Sequence, residues 1–210
     1  LNDYHEINEV EIKNIKNSLD KSIIYILNDY LIKITNSLDK FQFAEALNLI
    51  EDFFWNYFTD NYIELVKNRR QSGNDSDSLS ASTTLILVLE NLLKLFAPFI
   101  PMITEEIWTT MHPEKKSIHI QNWPEKINIE FGNISSSQFE LARQAISSVR
   151  KEKTSLGIGL GKEIEKIKII ANADKLFSLK EIISDVKDAS RSLEIELGVD
   201  ESEEGIRSEI

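Results

Sequence analysis

A mainly helical fold, an antiparallel bundle followed by a small α/β unit, is predicted by two features of this 210-residue sequence. Apolar residues recur at helical spacing from Ile7 to Met111, and after His112-Pro113 short alternating apolar runs take over, separated by further helical stretches. At 41% hydrophobic residues, the chain carries enough apolar surface for a core of one or two domains.

The elements follow in order. From Ile7 to Leu38 the stripe Ile15, Leu19, Ile23, Ile26, Leu27, Tyr30, Ile34, Leu38 predicts one long amphipathic helix, or two in series, with no Gly or Pro inside. "DKFQF" at 39–43 reads as a corner. A second helix is expected over about 43–69, its stripe (Phe43, Ala46, Ile50, Phe54, Phe58, Tyr62, Leu65) widened by Phe53 and Trp55. "QSGNDSDS" at 71–78 is a polar loop. Ser80 or Ser82 is then expected to cap a third helix, which Pro98 ends, and Pro101 suits the first turn of a fourth. Short connections make these an antiparallel bundle.

Beyond it, "SIHIQNW" alternates and predicts a strand ending at Trp123-Pro124. A helix capped by Ser135, Ser136 or Ser137 follows, then the alternating "IEKIKII", the helical "ADKLFSLKEIISDVKDAS" and the alternating "SLEIEL". The expected organisation is a bundle over 1–115, a β-α-β-α-β unit over 116–198 and a frayed acidic tail over 199–210.

Composition narrows function. Without cysteine there are no disulfides and no thiolate metal sites. No uninterrupted apolar run approaches the roughly 20 residues of a membrane span, and the N-terminus lacks the basic-then-apolar layout of a signal peptide. A soluble cytoplasmic protein without membrane contact is expected. The net charge of −11 repels nucleic acid on average. Between Arg143 and Lys168, however, seven cations face Glu152, Glu163 and Glu165, a basic island in an acidic chain.

"GIGLGK" at 157–162 resembles a phosphate-holding loop in composition only. Three residues, not four, separate Gly157 from the Gly161-Lys162 pair, and Glu163 stands where a magnesium-binding Ser or Thr belongs. The loop also leaves a helix C-terminus and enters a strand, the reverse of a phosphate site at a helix N-terminus. Gly157 is better explained as the residue that stops the helix. His5, His112 and His119 share no ligand spacing, so no metal site is expected. Glu105 and Glu106 are adjacent and diverge, leaving Glu105 to cap a helix start or meet a cation. No acid–base pair, nucleophile elbow or cysteine nucleophile is present, so no catalytic residue is assigned. Trp55, Trp108 and Trp123 read as core anchors whose indole N–H groups need partners.

Four segments together resemble one family. "FQFAEALNLIEDFFWNYFTDNYIELVK" is similar to the signature helix of valyl-tRNA synthetases through Phe43, Ala46, Ile50, Phe54, Trp55, Phe58, Asp60, Tyr62, Ile63 and Glu64. "LLKLFAPFIPMITEEIW" resembles the family's proline-bracketed helix pair, "SIHIQNWP" its strand ending in Trp-Pro, and "ISSVRKEKTSLGIGLGKEIEKIKI" its arginine-bearing helix, loop and strand. The second segment is shared with isoleucine and leucine enzymes, whereas the first separates this chain from the isoleucyl type. Many members carry prolines where Gly159 and Leu160 stand, and many continue into a C-terminal coiled-coil arm.

The resemblance implies the C-terminal, anticodon-binding region of a class I aminoacyl-tRNA synthetase. The ATP signatures, nucleotide-binding core and editing domain are absent from this chain, so ATP is a cofactor of the parent enzyme and no cofactor is expected here. The implied partners are the anticodon stem-loop of tRNA for valine and the parent's catalytic domain, against which the first helix packs. The cations expected to touch tRNA are Lys67, Arg69 and Arg70 at the end of the second helix, Arg143, Arg150, Lys151 and Lys153 on the later helix, and Lys162 in the glycine loop. These are expected to form one positive cradle. The competing expectation is a helical protein-interaction module that binds no RNA.

Overall fold

The structure, a computed structural model, describes residues 12–71 and 75–210. Helix α1 spans Ser18–Asp39 and begins where the Asn17 side-chain oxygen accepts a hydrogen bond from the Leu19 N–H (2.9 Å). It is shorter than the helix expected from Ile7. A 3₁₀ turn at Ile12–Asn14 precedes it, and residues 7–11 lie outside the described part. The stripe Leu19, Ile23, Leu27 and Ile34 is fully buried.

After the corner at 39–43 one continuous helical run extends over 43–71. It comprises α2 (Phe43–Asp52), a π-helical stretch (Phe53–Tyr62) and α3 (Ile63–Gln71). The π stretch was not foreseen. Its buried residues Phe53, Phe58 and Tyr62 are spaced five and four apart, the period of a wider turn. The Thr59 hydroxyl donates to the Phe54 carbonyl (3.0 Å) and the Asn61 amide to the Asn56 carbonyl (2.7 Å), so local side chains satisfy the loosened backbone.

Helix α4 spans Ser76–Phe96 and is capped by Asp75, whose Oδ1 accepts from the Ser78 N–H (2.7 Å). This corrects the expected cap at Ser80 or Ser82. Both serines lie inside the helix, and Ser80 is buried with its hydroxyl donating to Asp20. Helix α4 is long and apolar enough to cross a membrane on length and composition. Here Ala81, Val88, Leu92 and Leu95 are used in the core instead. Helix α5 spans Pro101–Met111 with Pro101 in its first turn, as expected.

The strand expected at "SIHIQNW" is absent: Ile118–Ile120 is a 3₁₀ turn. Glu105 Oε2 accepts from the Ser117 hydroxyl (2.9 Å) and the Ile118 N–H (3.0 Å), and Ser117 Oγ accepts from the His119 N–H (3.2 Å). Side chains thus take the backbone groups that a ladder would have used. The tighter turn buries Ile118 (3% exposed) but leaves Ile120 outside (65%), though alternation put both on one face. The irregular segment that follows is stapled to polar residues of α1. Asn28 pairs through both ends of its amide with the Ile127 backbone (2.9 and 2.8 Å), Trp123 Nε1 donates to Thr35 Oγ1 (3.0 Å), and Ser22 Oγ donates to the Ser135 carbonyl (2.6 Å).

Helix α6 (Ser137–Ser155) has Ser136 at its cap position and ends at Gly157, φ 68°. The Ile158 N–H donates to the Lys153 carbonyl (2.8 Å) and the Gly157 N–H to the Thr154 carbonyl (3.1 Å), a Schellman ending that fits the helix-stopping role expected of Gly157. Strand β1 (Ile164–Ala171) leads to α7 (Ala173–Lys180), α8 (Ile183–Ser190) and β2 (Ser192–Val199). The single helix expected over 173–190 is therefore two. The tail is also ordered differently from expectation, since β3 (Arg207–Glu209) pairs antiparallel with β1, Ile169 opposite Ser208. The sheet order is β2-β1-β3, with β1 and β2 parallel and Ile167 opposite Ile195. Helix α6 packs on α1, and α8 on α3. One apolar cluster runs from Ile15 through the bundle to Val186.

Candidate nucleic-acid interface

The cations expected to meet RNA separate into three groups, and the first is internal. Arg69, on α3, has a side chain only 9% exposed. Its Nη1 and Nη2 donate to the two carboxylate oxygens of Asp20 (2.8 and 2.7 Å), its Nε to Asp185 Oδ1 (2.8 Å) and its Nη1 also to the Asp77 carbonyl (2.9 Å). Asp20 further accepts from Tyr62 Oη (2.7 Å) and Ser80 Oγ (2.6 Å). Burial alone would lower the Arg69 pKa, but hydrogen bonds to Asp20 and the charges of Asp20 and Asp185 outweigh it and raise the pKa above the usual guanidinium value. Burial, and then the Asp20 charge, push the Tyr62 hydroxyl well above its usual pKa. Asp185 is raised to about 6 because burial outweighs the opposing Arg69 charge.

Lys153 is the second internal cation, 2% exposed. Its Nζ donates to the carbonyls of Lys162 (2.8 Å), Ser190 (2.9 Å) and Leu160 (3.3 Å), and burial together with the nearby Arg191 charge lowers its pKa. The glycine loop is thus anchored through its carbonyls, the opposite of what an anion cradle requires. Arg69 is therefore not placed to touch a phosphate, and Lys153, although it stands in the wall of a small cleft beside Arg150, has its ammonium committed to three carbonyls, so the expectation for both is corrected.

A second group gathers where α3, α6 and α8 meet. Lys67, Lys187 and Arg191 line a cleft of about 480 Å³ together with Glu64, Glu163 and Asp188. A smaller cleft of about 270 Å³ shares Glu64 and Arg191 with it and adds Arg150. Arg150 reaches the Asp60 carbonyl at 3.5 Å, and Lys67 lies 3.7 Å from Glu64. Arg191 ends α8 with φ 54°, in the left-handed region where glycine is the inexpensive choice, and donates from Nη1 to the Gly161 carbonyl (3.1 Å). Lys187 and Arg191 were missed from sequence. The available signal was an arginine, not a glycine, at a helix end immediately before a strand.

The third group lies on another face of α6. Arg143 and Lys151, with Lys175 and Arg207, line a groove of about 870 Å³ in which Glu152, Glu203, Glu204 and Glu209 balance them. Arg143 is also paired with Glu140 at 2.7 Å. This groove and the junction clefts have no lining residue in common, so the single cradle expected from sequence is divided. Arg70 and Lys162 are exposed outside these clefts. Among the described residues no group of three or more His, Asp or Glu is placed to hold a metal ion, and His5 lies outside them.

A family model for the anticodon-binding domain of tRNA ligase matches residues 20–169. The chain belongs to this anticodon-binding domain family. The matched stretch contains the signature helix, the proline-bracketed pair and most of β1, whereas Lys187 and Arg191 lie beyond it. Among similar proteins, the valine--tRNA ligase of Rickettsia canadensis (strain McKiel) is 33% identical over 198 residues, covering 92% of this chain and 24% of that protein. That of Tropheryma whipplei (strain Twist) is 38% identical over 160 residues, 76% of this chain and 18% of the relative. That of Pyrococcus abyssi (strain GE5 / Orsay) is 33% identical over 172 residues, 80% and 19%. The chain spans about a fifth of the length of these curated relatives. As a member of the anticodon-binding domain family it has the expected architecture, a helical bundle followed by a small α/β part.

Proposed function

We propose that this chain is the anticodon stem-loop-binding part of a cytoplasmic valine--tRNA ligase, and that the α3–α6–α8 junction contacts the tRNA phosphates. The observation that carries the surface assignment is the meeting of Lys67, Arg150, Lys187 and Arg191, from three helices, on adjoining clefts. Family membership supports tRNA as the ligand, and the named relatives support valine as the amino acid. On this reading ATP and valine are handled by other parts of the parent, and this part supplies affinity and anticodon discrimination. Across the two clefts Lys67, Arg150, Lys187 and Arg191 outnumber Glu64, Glu163 and Asp188 by one charge, and on a chain of net charge −11 such a narrow excess favours docking at this place over indiscriminate RNA binding. Arg70, Arg143, Lys151 and Lys162 remain exposed candidates at the margins. We further propose the division into a bundle over 1–115 and an α/β unit over 116–198, with the tail over 199–210 joined to the α/β unit through β3.

The test is a titration of the full chain with valine tRNA and with a tRNA of altered anticodon, at two salt concentrations. Valine tRNA binds more tightly, and Lys187→Ala/Arg191→Ala and Arg150→Ala/Lys151→Ala each weaken binding. Each lost phosphate contact flattens the log–log salt dependence by roughly 0.7–0.9. Equal affinity for both tRNAs, or unchanged slopes in both double variants, rejects the assignment.

A further inference from the structure

Helix α8 brings Lys187 and Arg191 to the junction; Val186, fully buried, with Ile183 and Ala189 packed on the core, docks one side of it, but its two ends lack local fastening. It has eight residues, too few for a helix to persist without tertiary support. Its cap position, Ile182, offers no side-chain hydrogen bond, and its last turn closes on a left-handed arginine. Two buried cations grip it from different neighbours. Arg69 of α3 donates to Asp185 in the first turn (2.8 Å), and Lys153 of α6 donates to the carbonyl of Ser190, the last residue (2.9 Å). Both grips are anchored away from α8. Arg69 is forked onto Asp20 of α1, which Tyr62 and Ser80 also hold. Lys153 also binds the loop carbonyls of Leu160 and Lys162, next to the Gly161 carbonyl that receives Arg191.

We infer that Arg69 and Lys153 are positioning residues that pin α8 at both ends, so that Lys187 and Arg191 share the junction with Lys67 and Arg150. The two cations act through α8 and do not touch RNA themselves. The consequence for RNA rests on the tRNA reading of the junction, but the pinning itself can be read from α8 alone. The charged groups facing the first-turn grip are Arg69 from α3, Asp20 from α1 and Asp188 from α8 itself. Arg69→Lys keeps the charge and loses the fork. Asp185→Asn keeps an acceptor for Arg69 Nε and is the conservative control.

The experiment uses the full chain with Arg69→Lys and Lys153→Met as independent variants, so that one carries the test if the other fails to fold. Amide hydrogen exchange over 183–190 and the salt dependence of valine-tRNA binding are both measured. Exchange over α8 rises on the order of tenfold in either variant and stays at or below the wild-type rate in Asp185→Asn, a local opening rather than a global one. The salt slope falls as it does in Lys187→Ala/Arg191→Ala, and combining the changes flattens it no further. Simple loss of folded protein lowers the active fraction without changing the slope, which separates positioning from bulk stability. Unchanged exchange over 183–190 overturns the inference. So does a wild-type slope in the pinning variants when Lys187→Ala/Arg191→Ala flattens it. If that last pair leaves the slope unchanged, the tRNA reading of the junction has failed, and the exchange data alone decide the pinning.

Discussion

Replacing Asp185 by asparagine tests the electrostatics of the buried cluster directly. One guanidinium, Arg69, serves two buried carboxylates, Asp20 and Asp185, so the three groups carry one negative charge. Asp20 holds the better share, with both guanidinium Nη atoms and two hydroxyls. Asp185, with a side chain 4% exposed, receives the Arg69 Nε, and its pKa rises from 3.8 to about 6. A rise of that size corresponds to a burden of about 3 kcal/mol on the ionised form. Because the folded-state pKa lies above the unfolded one, the burden is complete above about pH 6. It shrinks as pH falls and is gone below about 3.8, where both states are protonated.

Asparagine removes the charge and keeps an acceptor for Arg69 Nε. Its amide N–H groups, if left unpaired, return about 1–2 kcal/mol of desolvation. The expected net effect near neutral pH is stabilisation by about 1–2 kcal/mol, or about 2–4 °C in Tm for each kcal/mol. The assay is urea unfolding of both proteins between about pH 7.5 and about pH 4.5, taking the difference so that other titrating groups cancel. The advantage of the variant is largest at the neutral end and closes toward acid. A loss of about 3–5 kcal/mol at neutral pH, the cost of breaking a net-favourable buried pair, with the gap closing toward acid, would show that Arg69 dominates burial at Asp185 and refute the reasoning.

Lys153→Met leaves the carbonyls of Leu160, Lys162 and Ser190 without their shared donor, and urea unfolding is expected to show a loss of at least about 2 kcal/mol. Gly157→Ala costs about 1–2 kcal/mol, because φ is 68° there although a Cβ meets nothing within 4 Å. Gly159→Ala, with equal space and no left-handed φ, leaves both Tm and tRNA affinity near wild type. Loss of affinity on that change would reinstate the glycine loop as a contact. Truncation after residue 200 removes β3 and uncovers the β1 edge beside Ile169, so Tm falls; an unchanged Tm would mean that the tail contributes nothing.

The bundle was legible because its helices carry their signals locally. The α1 stripe, the Pro98 stop and the Pro101 start, and the stop at Gly157 all depend on residues within a few positions. What failed depended on side chains answering from elsewhere. "SIHIQNW" alternates as a strand should, yet Glu105 and Ser117 satisfy its backbone and turn it into a 3₁₀ corner. The cap of α4 moved from Ser80 to Asp75 because Ser80 is needed by Asp20, sixty residues away in sequence. The acidic tail looked unable to pair, but an edge strand needs few apolar residues when Ser208 can meet Ser148 (2.9 Å) and charges face water.

The same locality explains the errors among the cations. A count along the chain treats every arginine and lysine as facing solvent, so Arg69 and Lys153 drew attention from the basic stretches that contain them. The partners of Arg69 are distant in sequence, Asp20 by 49 positions and Asp185 by 116, and Lys153 is held by backbone carbonyls, one of them 37 positions away at Ser190. Conversely, Lys187 and Arg191 stand in an unremarkable helix end and gain significance only because α8 packs against α3. A basic segment is thus a poor guide to which cations meet a polyanion when buried carboxylates, as for Arg69, or carbonyls, as for Lys153, compete for them. The two cations that burial takes from the surface hold the helix that supplies two others to the junction.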